Sequence, residues 1–187
     1  MLQTDFVLLD AAQNGDRKAQ YQLYRSCYSM LMGVCMRYCH NEDDAAALMN
    51  AGFLKILMGL DKWRRDVPFE AWARRVMINT AIDDYRARER DRVHADIQAL
   101  PDDAHLTEHL TEVNTSEWVF AVEQLEAFIR ALAPVTQRVF NLFAIDGYSH
   151  DEIGQMMRIS TGTSKWHVSD ARRRLRDMIE QHTHKLV

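Results

Sequence analysis

The sequence predicts an all-α fold made of two small helical domains joined by an acidic linker. Its 187 residues include only three prolines and seven glycines, a composition that favours helix over a β fold. Apolar residues make up 47% of the chain, which is ordinary for a globular protein. Through most of the chain they recur at steps of three and four, the spacing of amphipathic helices. A chain of this length forms one domain or two small ones.

The first domain is predicted over residues 1–92, where helix starts are marked by capping residues. Asp16 and Asn41 are N-cap types, and three acids follow Asn41 in the first turn, where the helix dipole favours them. Gly15 stops the first helix, and Pro68 suits the first position of the fourth. The four predicted helices span residues 5–14, 17 to about 38, 42 to about 59, and 68 to about 92.

The linker is predicted over residues 93–115 and the second domain over residues 116–187. The linker has a Pro-Asp-Asp turn signal and no Lys or Arg. Ser116 and Ser160 are N-cap types, and Pro134 can begin a helix. The predicted helices span residues 117–131, 134 to about 145, and 150–157, with a last helix from residue 161.

Charge is segregated along the chain, although the net charge is only −4. Residues 62–92 hold nine Lys or Arg against six acids, and residues 158–176 hold six against one. Between these basic blocks, residues 93–127 hold eight acids and no Lys or Arg. Because salt screens each block over about 10 Å, the net charge does not exclude a polyanionic partner.

The C-terminal part carries the pattern of a helix-turn-helix. Ser149 and Glu152 form a capping box that opens a short helix, which is followed by a tight turn and a basic helix. The stripe of the basic helix predicted to pack on the short helix consists of Ser164, Val168, Ala171 and Leu175. The opposite face is predicted to present Gly162, Trp166, Ser169 and Arg173, flanked by Lys165, Asp170 and Arg176.

This outward face suits a major groove of DNA. Arg173 and Lys165 can bond guanines or phosphates, and Trp166 can contact bases. The alternative is an ordinary amphipathic helix with a solvated basic face. The capped short helix and the turn that precede it favour the DNA-binding interpretation.

Three segments resemble a known family. GYSHDEIGQMMRISTGTSKWHVSDARRRL (147–175) closely resembles the −35-reading helix-turn-helix of bacterial sigma factors of the extracytoplasmic-function group. NEDDAAALMNAGFLKILMGLDKW (41–63) resembles their helix that docks on the clamp helices of RNA polymerase. PFEAWARRVMINTAIDDYRARER (68–90) resembles the part that melts and reads the −10 element. In this family the linker threads the polymerase cleft, and the acids of residues 93–115 suit a basic channel. The alternative is a solvated spacer.

The resemblance implies a sigma factor, which is not an enzyme and needs no cofactor. It binds core RNA polymerase, recognises both promoter elements and promotes DNA opening in the cytoplasm, and an anti-sigma factor is expected as a partner. The residues implied for the −35 element are Thr163, Lys165, Trp166, Ser169, Asp170, Arg172, Arg173 and Arg176. Those implied for the −10 element are Asn79, Asp83, Arg86, Arg88 and Arg90. Those implied for core polymerase are Asp43, Asp44, Leu48, Asn50, Phe53 and Leu54.

The chain departs from the family at several of these positions. Ala46, Ala47, Asn50 and Ala51 replace acidic or amide residues of the polymerase-docking helix, which predicts a contact made mainly by packing. Arg158 stands where the turn of the helix-turn-helix usually has glycine.

Asp170 has two interpretations. Facing DNA, its carboxylate could accept from a cytosine amino group and act as a specificity residue. Alternatively it forms an intrahelical pair with Arg173 or Arg174.

Asn79 and Trp72 of the predicted fourth helix each have two possible roles. Asn79 matches the family position that lines a pocket for a flipped −10 base, although without the resemblance it would be an ordinary surface amide. Trp72 is expected in the core rather than as a platform for bases.

The cysteines allow one further function. Cys27, Cys35 and Cys39 are expected to pack in the core, and a thiol or metal sensor built on them is the alternative. A free-standing helix-turn-helix regulator is a second rival. No phosphate loop, metalloprotease motif or nucleophile elbow is present. No apolar run is long enough to span a bilayer, and MLQTDFVLLD lacks the features of a signal peptide, so we expect no membrane insertion.

Overall fold

The computed structural model describes the backbone of residues 6–39, 41–95 and 117–185, and the side chains of residues 6–39, 41–91 and 123–182. Every regular element in these ranges is helical, as the sequence predicts. The chain divides into two compact units, Met1–Arg92 and Val93–Val187. The predicted linker lies outside the described residues except for its first three, and so does the predicted cap Ser116.

Four helices build the first unit. They are α1 (Phe6–Gln13), α2 (Arg17–Tyr38), α3 (Glu42–Met58) and α4 (Phe69–Ala95), with a short 3-10 turn at Leu60–Lys62. Helix α4 therefore runs three residues past its predicted end. No described helix is long and apolar enough to cross a membrane.

The predicted caps of the first unit are confirmed. Asp16 accepts hydrogen bonds from the backbone nitrogens of Lys18 and Ala19, and Asn41 accepts one from Asp44 at 2.8 Å. Gly15 takes a φ of 87°, a left-handed conformation that glycine adopts without strain. These caps satisfy backbone donors within the first turn and thereby mark where the helices begin.

The core of the first unit lies where α1 and α3 pack on α2 and where α4 meets α3. A side-chain carbon at Gly52 of α3 would overlap the thioether of Met77 on α4, so glycine permits this close approach. The largest fully buried side chains of this unit include Leu31, Met49, Ile56, Met77 and Ile82.

The second unit contains α5 (Glu117–Arg130), α6 (Pro134–Phe140), α7 (His150–Met157) and α8 (Thr161–Lys185). Helices α5, α6 and α7 all contact α8. Its buried apolar side chains include Leu132, Val139, Leu142, Ile153 and Leu175.

The predicted helix over residues 134–145 is not regular throughout. After α6 the backbone widens into a π-helical turn, Asn141–Ile145, in which the Asp146 nitrogen bonds the Asn141 carbonyl five residues back. Gly147 then ends the segment with a φ of 77°.

Candidate nucleic-acid and polymerase interface

Helices α7 and α8 form the predicted helix-turn-helix. Ser149 and Glu152 make the reciprocal bonds of a capping box at the start of α7. The Ser160 hydroxyl accepts from the Thr163 nitrogen at 3.0 Å and caps α8. The two helices are tied by a hydrogen bond from Thr161 to Asp151 at 2.8 Å.

The turn between these helices depends on two backbone features. Arg158 adopts φ 56° and ψ 43°, the left-handed region that a side chain disfavours. The Gly154 carbonyl accepts from the nitrogens of both Arg158 and Ile159. A side-chain carbon at Gly154 would lie 2.9 Å from the Ile159 carbonyl oxygen. The turn is therefore tight even though Arg158 replaces the glycine expected there.

The buried and exposed faces of α8 are distributed as predicted, with one exception. Ser164, Val168, Ala171 and Leu175 are buried, and Trp166 is 59% exposed. The other exposed residues named for the −35 element are Thr163, Lys165, Ser169, Arg172, Arg173 and Arg176.

The outward placement of Asp170 is wrong. Its residue surface is 8% exposed, and its two oxygens accept from Arg173 and Arg174 at 2.5 and 2.8 Å. Asp170 lies about 120° around the helix from the buried stripe, so helical position alone does not bury it. The intrahelical pair, which the sequence left as the alternative, is the arrangement in the structure.

A groove of about 400 Å³ runs beside α8 and is rich in cations. Phe143 and His150 form part of its wall and stack on each other with centroids 4.3 Å apart. His150 also bonds Ser164 at 2.9 Å, and Arg172 lies 5.7 Å from the Phe143 ring. The cations that line the groove are Lys165, Arg172, Arg173 and Arg176. Sequence reasoning missed Phe143 and His150, because nothing in the linear pattern pairs the π-helical turn with α8.

The residues predicted to bind the −10 element lie along α4 between residues 79 and 90. Asn79, Asp83, Arg88 and Arg90 are exposed, and Arg86 is half-buried. Several already have intramolecular partners: Asp83 bonds Arg86 and lies 3.6 Å from Lys55. Nearer the start of the helix, Trp72 is partly exposed and tilts against Phe69, so its expected core placement holds only in part.

One ion pair connects α4 to the start of α3. Arg88 bonds Asp44 at 3.3 Å and Asp84 at 2.9 Å. The hydrogen bond to Asp44 is the main cause of the raised pKa of Arg88. Arg88, which is predicted to bind the −10 DNA, and Asp44, which is predicted to bind polymerase, thus bond each other.

Leu48 and Phe53, which are predicted to bind core polymerase, do not lie on the exposed surface of α3. Both are 6% exposed, and Phe53 packs edge-on against Tyr24. They lie on the face of α3 that turns inward, because they share the helical stripe of Ala45, Met49 and Ile56.

The outward face of α3 is the surface that a partner can reach. Leu54 and Met58 are large apolar side chains that are 57% and 73% exposed. The rest of this face consists of Asp43, Ala46, Ala47, Asn50 and Ala51, all exposed. Sequence reasoning missed Met58, although it lies one turn after Leu54. We call these seven residues the α3 outer face.

Comparison with known proteins identifies both units. Residues 23–91 match the family described as Sigma-70 region 2, and residues 122–175 match Sigma-70, region 4. Together these matches cover about two thirds of the chain, in the order that sigma factors have. The chain belongs to the sigma-70 family. The predicted resemblance to the extracytoplasmic-function group is confirmed by relatives that are themselves described as ECF sigma factors.

Curated relatives match along most of the chain. The RNA polymerase sigma-H factor of Pseudomonas aeruginosa is 25% identical over 173 residues, which is 90% of each chain. The ECF RNA polymerase sigma-E factor of Escherichia coli K12 is 26% identical over 182 residues, which is 95% of each chain. The sigma factor RpoE of Bartonella quintana, solved with the anti-sigma factor NepR, shares the fold with a TM-score of 0.54. The match has 18% identity and covers 86% of this chain and 96% of that one.

Within the sigma-70 frame, region 2 contains α3, most of α4 and most of α2. The region 4 match includes all of α7 and ends inside α8, at Leu175.

The cysteines all lie in α2 or at its end. Cys27 and Cys35 are buried, as predicted for core packing, and Cys39 is half-buried. In the described ranges no three His, Cys, Asp or Glu side chains are grouped to hold a metal ion.

Proposed function

We propose that this sigma factor works in the cytoplasm, where it directs core RNA polymerase to promoters by reading the −35 element with α8 and the −10 element with α4. The observation that carries this proposal is the exposed face of α8, with Trp166, Ser169 and Arg173 beside a groove lined by cations. Arginines in a major groove can read guanine, and the neighbouring cations can bind phosphates. The polymerase supplies the chemistry.

The α3 outer face is the surface proposed to dock on core polymerase. Leu54 and Met58 offer apolar surface that polymerase can bury. The alanines offer little apolar surface, but their small side chains allow a partner to approach the helix closely. Burial of such residues contributes about 25 cal/mol per Å² and depends little on salt. Complex formation through this face should therefore be less sensitive to salt than a contact made by ion pairs.

Two variants test the docking face. Leu54→Glu should weaken binding to core polymerase by about tenfold or more, because a charge would enter an apolar contact. Tyr21→Glu is the matched control, since Tyr21 is 62% exposed on α2 of the same unit. An equal loss from both variants would contradict the assignment of the α3 outer face.

Run-off transcription tests the function itself. Core polymerase from the source organism is supplied with genomic fragments, with and without the protein. We expect promoter-specific starts only when the protein is present. Initiation no greater than that of core alone would refute the proposal. Tight duplex binding by the isolated protein, with no effect of polymerase, would instead support a free-standing regulator.

Single substitutions can distinguish the proposed roles of α8 and α4 in reading DNA. Arg173→Ala should reduce initiation that depends on the −35 element. Asn79→Ala should slow DNA opening more than closed-complex formation, because its exposed amide is proposed to hold an unpaired base. Equal effects of both changes on both steps would contradict this division.

An anti-sigma factor is the further partner that we propose. The support is the solved relative from Bartonella quintana, which is bound to one. Affinity purification of the tagged protein from its source organism, followed by mass spectrometry, would identify such a protein.

A further inference from the structure

Asp170 is a buried acid within the most basic part of α8. Each of its carboxylate oxygens takes a different arginine: Arg173 Nη2 lies 2.5 Å from Oδ1, and Arg174 Nε lies 2.8 Å from Oδ2. The side chain of Asp170 is only 7% exposed, whereas those of the arginines are 62% and 49% exposed. The hydrogen bond from Arg174 is the main reason why the pKa of Asp170 lies below its usual range. The carboxylate is therefore ionised at neutral pH.

This pairing gives three consecutive arginines different surroundings. Arg172 lies over the Phe143 ring and lines the groove. Arg173 lines the groove and bonds Asp170, while Arg174 bonds the other oxygen of Asp170 and is not part of the groove wall. The Asp170 carboxylate thus orients both Arg173, which faces the groove, and Arg174, which does not.

We propose that Asp170 is a positioning residue that fixes the guanidinium of Arg173 and thereby determines which −35 base pairs this sigma factor selects. The inference rests on the proposed function. Asp170 does not read a base itself, since it is buried and both of its oxygens are occupied.

The physical basis is the geometry of arginine recognition. An arginine discriminates guanine only when its planar fork meets two base acceptors together, and a misdirected fork bonds any phosphate in reach. A guanidinium already held by a carboxylate loses less conformational entropy when it binds in the correct direction. Releasing Arg173 should therefore increase contacts that carry no sequence information and decrease those that do.

Promoter discrimination is the quantity that tests the proposal. Run-off initiation with core polymerase is measured on a promoter found in the genomic screen, and on the same promoter with its −35 element replaced. The ratio of the two yields is compared between variants. Because the ratio is taken within each protein, a partly unfolded variant loses yield on both promoters but keeps its ratio.

Asp170→Asn should lower this ratio by about tenfold, the discrimination expected of one bidentate arginine. Asp177→Asn is the matched control, because Asp177 is exposed on the same helix and lies 4.0 Å from Arg173. It removes the same charge without releasing the arginine pair and should change the ratio by no more than about twofold. Asp170→Glu keeps a carboxylate within reach of both arginines and should retain most of the discrimination.

A double-variant cycle distinguishes positioning from simple helix stabilisation. In the Arg173→Ala background, Asp170→Asn should lower the thermal midpoint but cause no further loss of discrimination. The proposal is overturned by an unchanged ratio in Asp170→Asn, by an equal loss in Asp177→Asn or Asp170→Glu, or by a full further loss in the Arg173→Ala background. Failure of the unmodified protein to start at any promoter would refute the proposed function instead.

Discussion

Burial controls the chemistry of the cysteine thiols. Burial is the main cause that raises the pKa of Cys35 to about 12, and burial also raises the pKa of Cys27. A thiol reacts as its thiolate, so both groups are weak nucleophiles and weak metal ligands at neutral pH. This argues against a sensor built on all three cysteines.

Alkylation measures this difference directly. In the folded protein at about pH 7.5, iodoacetamide should modify Cys39 and leave Cys27 and Cys35 intact, because only Cys39 is partly exposed. All three should react after denaturation, as mass spectrometry would show. Rapid modification of Cys35 in the folded state would contradict the prediction.

His167 makes the second unit sensitive to acid. It bonds Thr136 at 2.9 Å, and burial lowers its pKa below the ordinary value of 6.5, although nearby Asp170 acts in the opposite direction. Below about pH 6.5 the unfolded chain therefore binds a proton that the folded chain excludes, and stability falls as the pH drops toward the folded pKa.

The free energy of unfolding of residues 117–185 should accordingly decrease between about pH 7.5 and pH 5.5. His167→Gln keeps a polar partner for Thr136 but does not titrate, so the decrease should be smaller in this variant. Denaturant unfolding at both pH values measures both slopes. Identical slopes for the two proteins would exclude His167 as the cause.

At the scale of single elements, two positions near the turn between α7 and α8 both favour glycine, but only one of them has it. Arg158 occupies a left-handed conformation that favours glycine, whereas Gly154 occupies a site where an added carbon would meet a backbone oxygen. Arg158→Gly should therefore raise the stability of the second unit by about 0.5–1 kcal/mol. Gly154→Ala should lower it, although alanine is the better helix former.

Thermal unfolding followed by circular dichroism measures both changes. Arg158→Ala is the control that removes the arginine side chain without freeing the backbone, and it should not be stabilising. A gain in Arg158→Ala equal to that in Arg158→Gly would show that charge, rather than backbone strain, was relieved.

The helices and their starts could be predicted from the sequence because their signals are local. Asp16, Asn41 and the Ser149–Glu152 box each act within one turn of helix. Apolar character alone did not distinguish the exposed face of α3, because Leu48 and Phe53 carry the same apolar signal as Leu54 but lie with the buried residues of the helix. For Asp170, spacing alone left both interpretations open, because a residue between the two faces of α8 can bond Arg173 and Arg174 or face DNA.

At the scale of the molecule, each of the two units has its own buried side chains. The first has Met49, Ile56 and Met77, and the second has Leu142 and Ile153. A unit with its own core should fold alone. Fragments 1–95 and 117–187 should each be helical and unfold cooperatively, as circular dichroism with thermal melting would show. A fragment without a cooperative transition would mean that its stability depends on the rest of the chain.

If Asp44 binds polymerase and Arg88 binds DNA, as the sequence predicts, the ion pair between them would link the two binding events thermodynamically. A polymerase group that takes Asp44 must compete with Arg88, and a DNA phosphate that takes Arg88 must compete with Asp44. Whichever ligand binds first breaks the ion pair, so the second ligand binds without that free-energy cost. By reciprocity, polymerase and DNA each raise the affinity for the other by the same factor. For an exposed pair the coupling is about 0.2–1 kcal/mol, at most about a fivefold change in affinity. Through this single contact, the protein would hold DNA somewhat more tightly on the polymerase than off it.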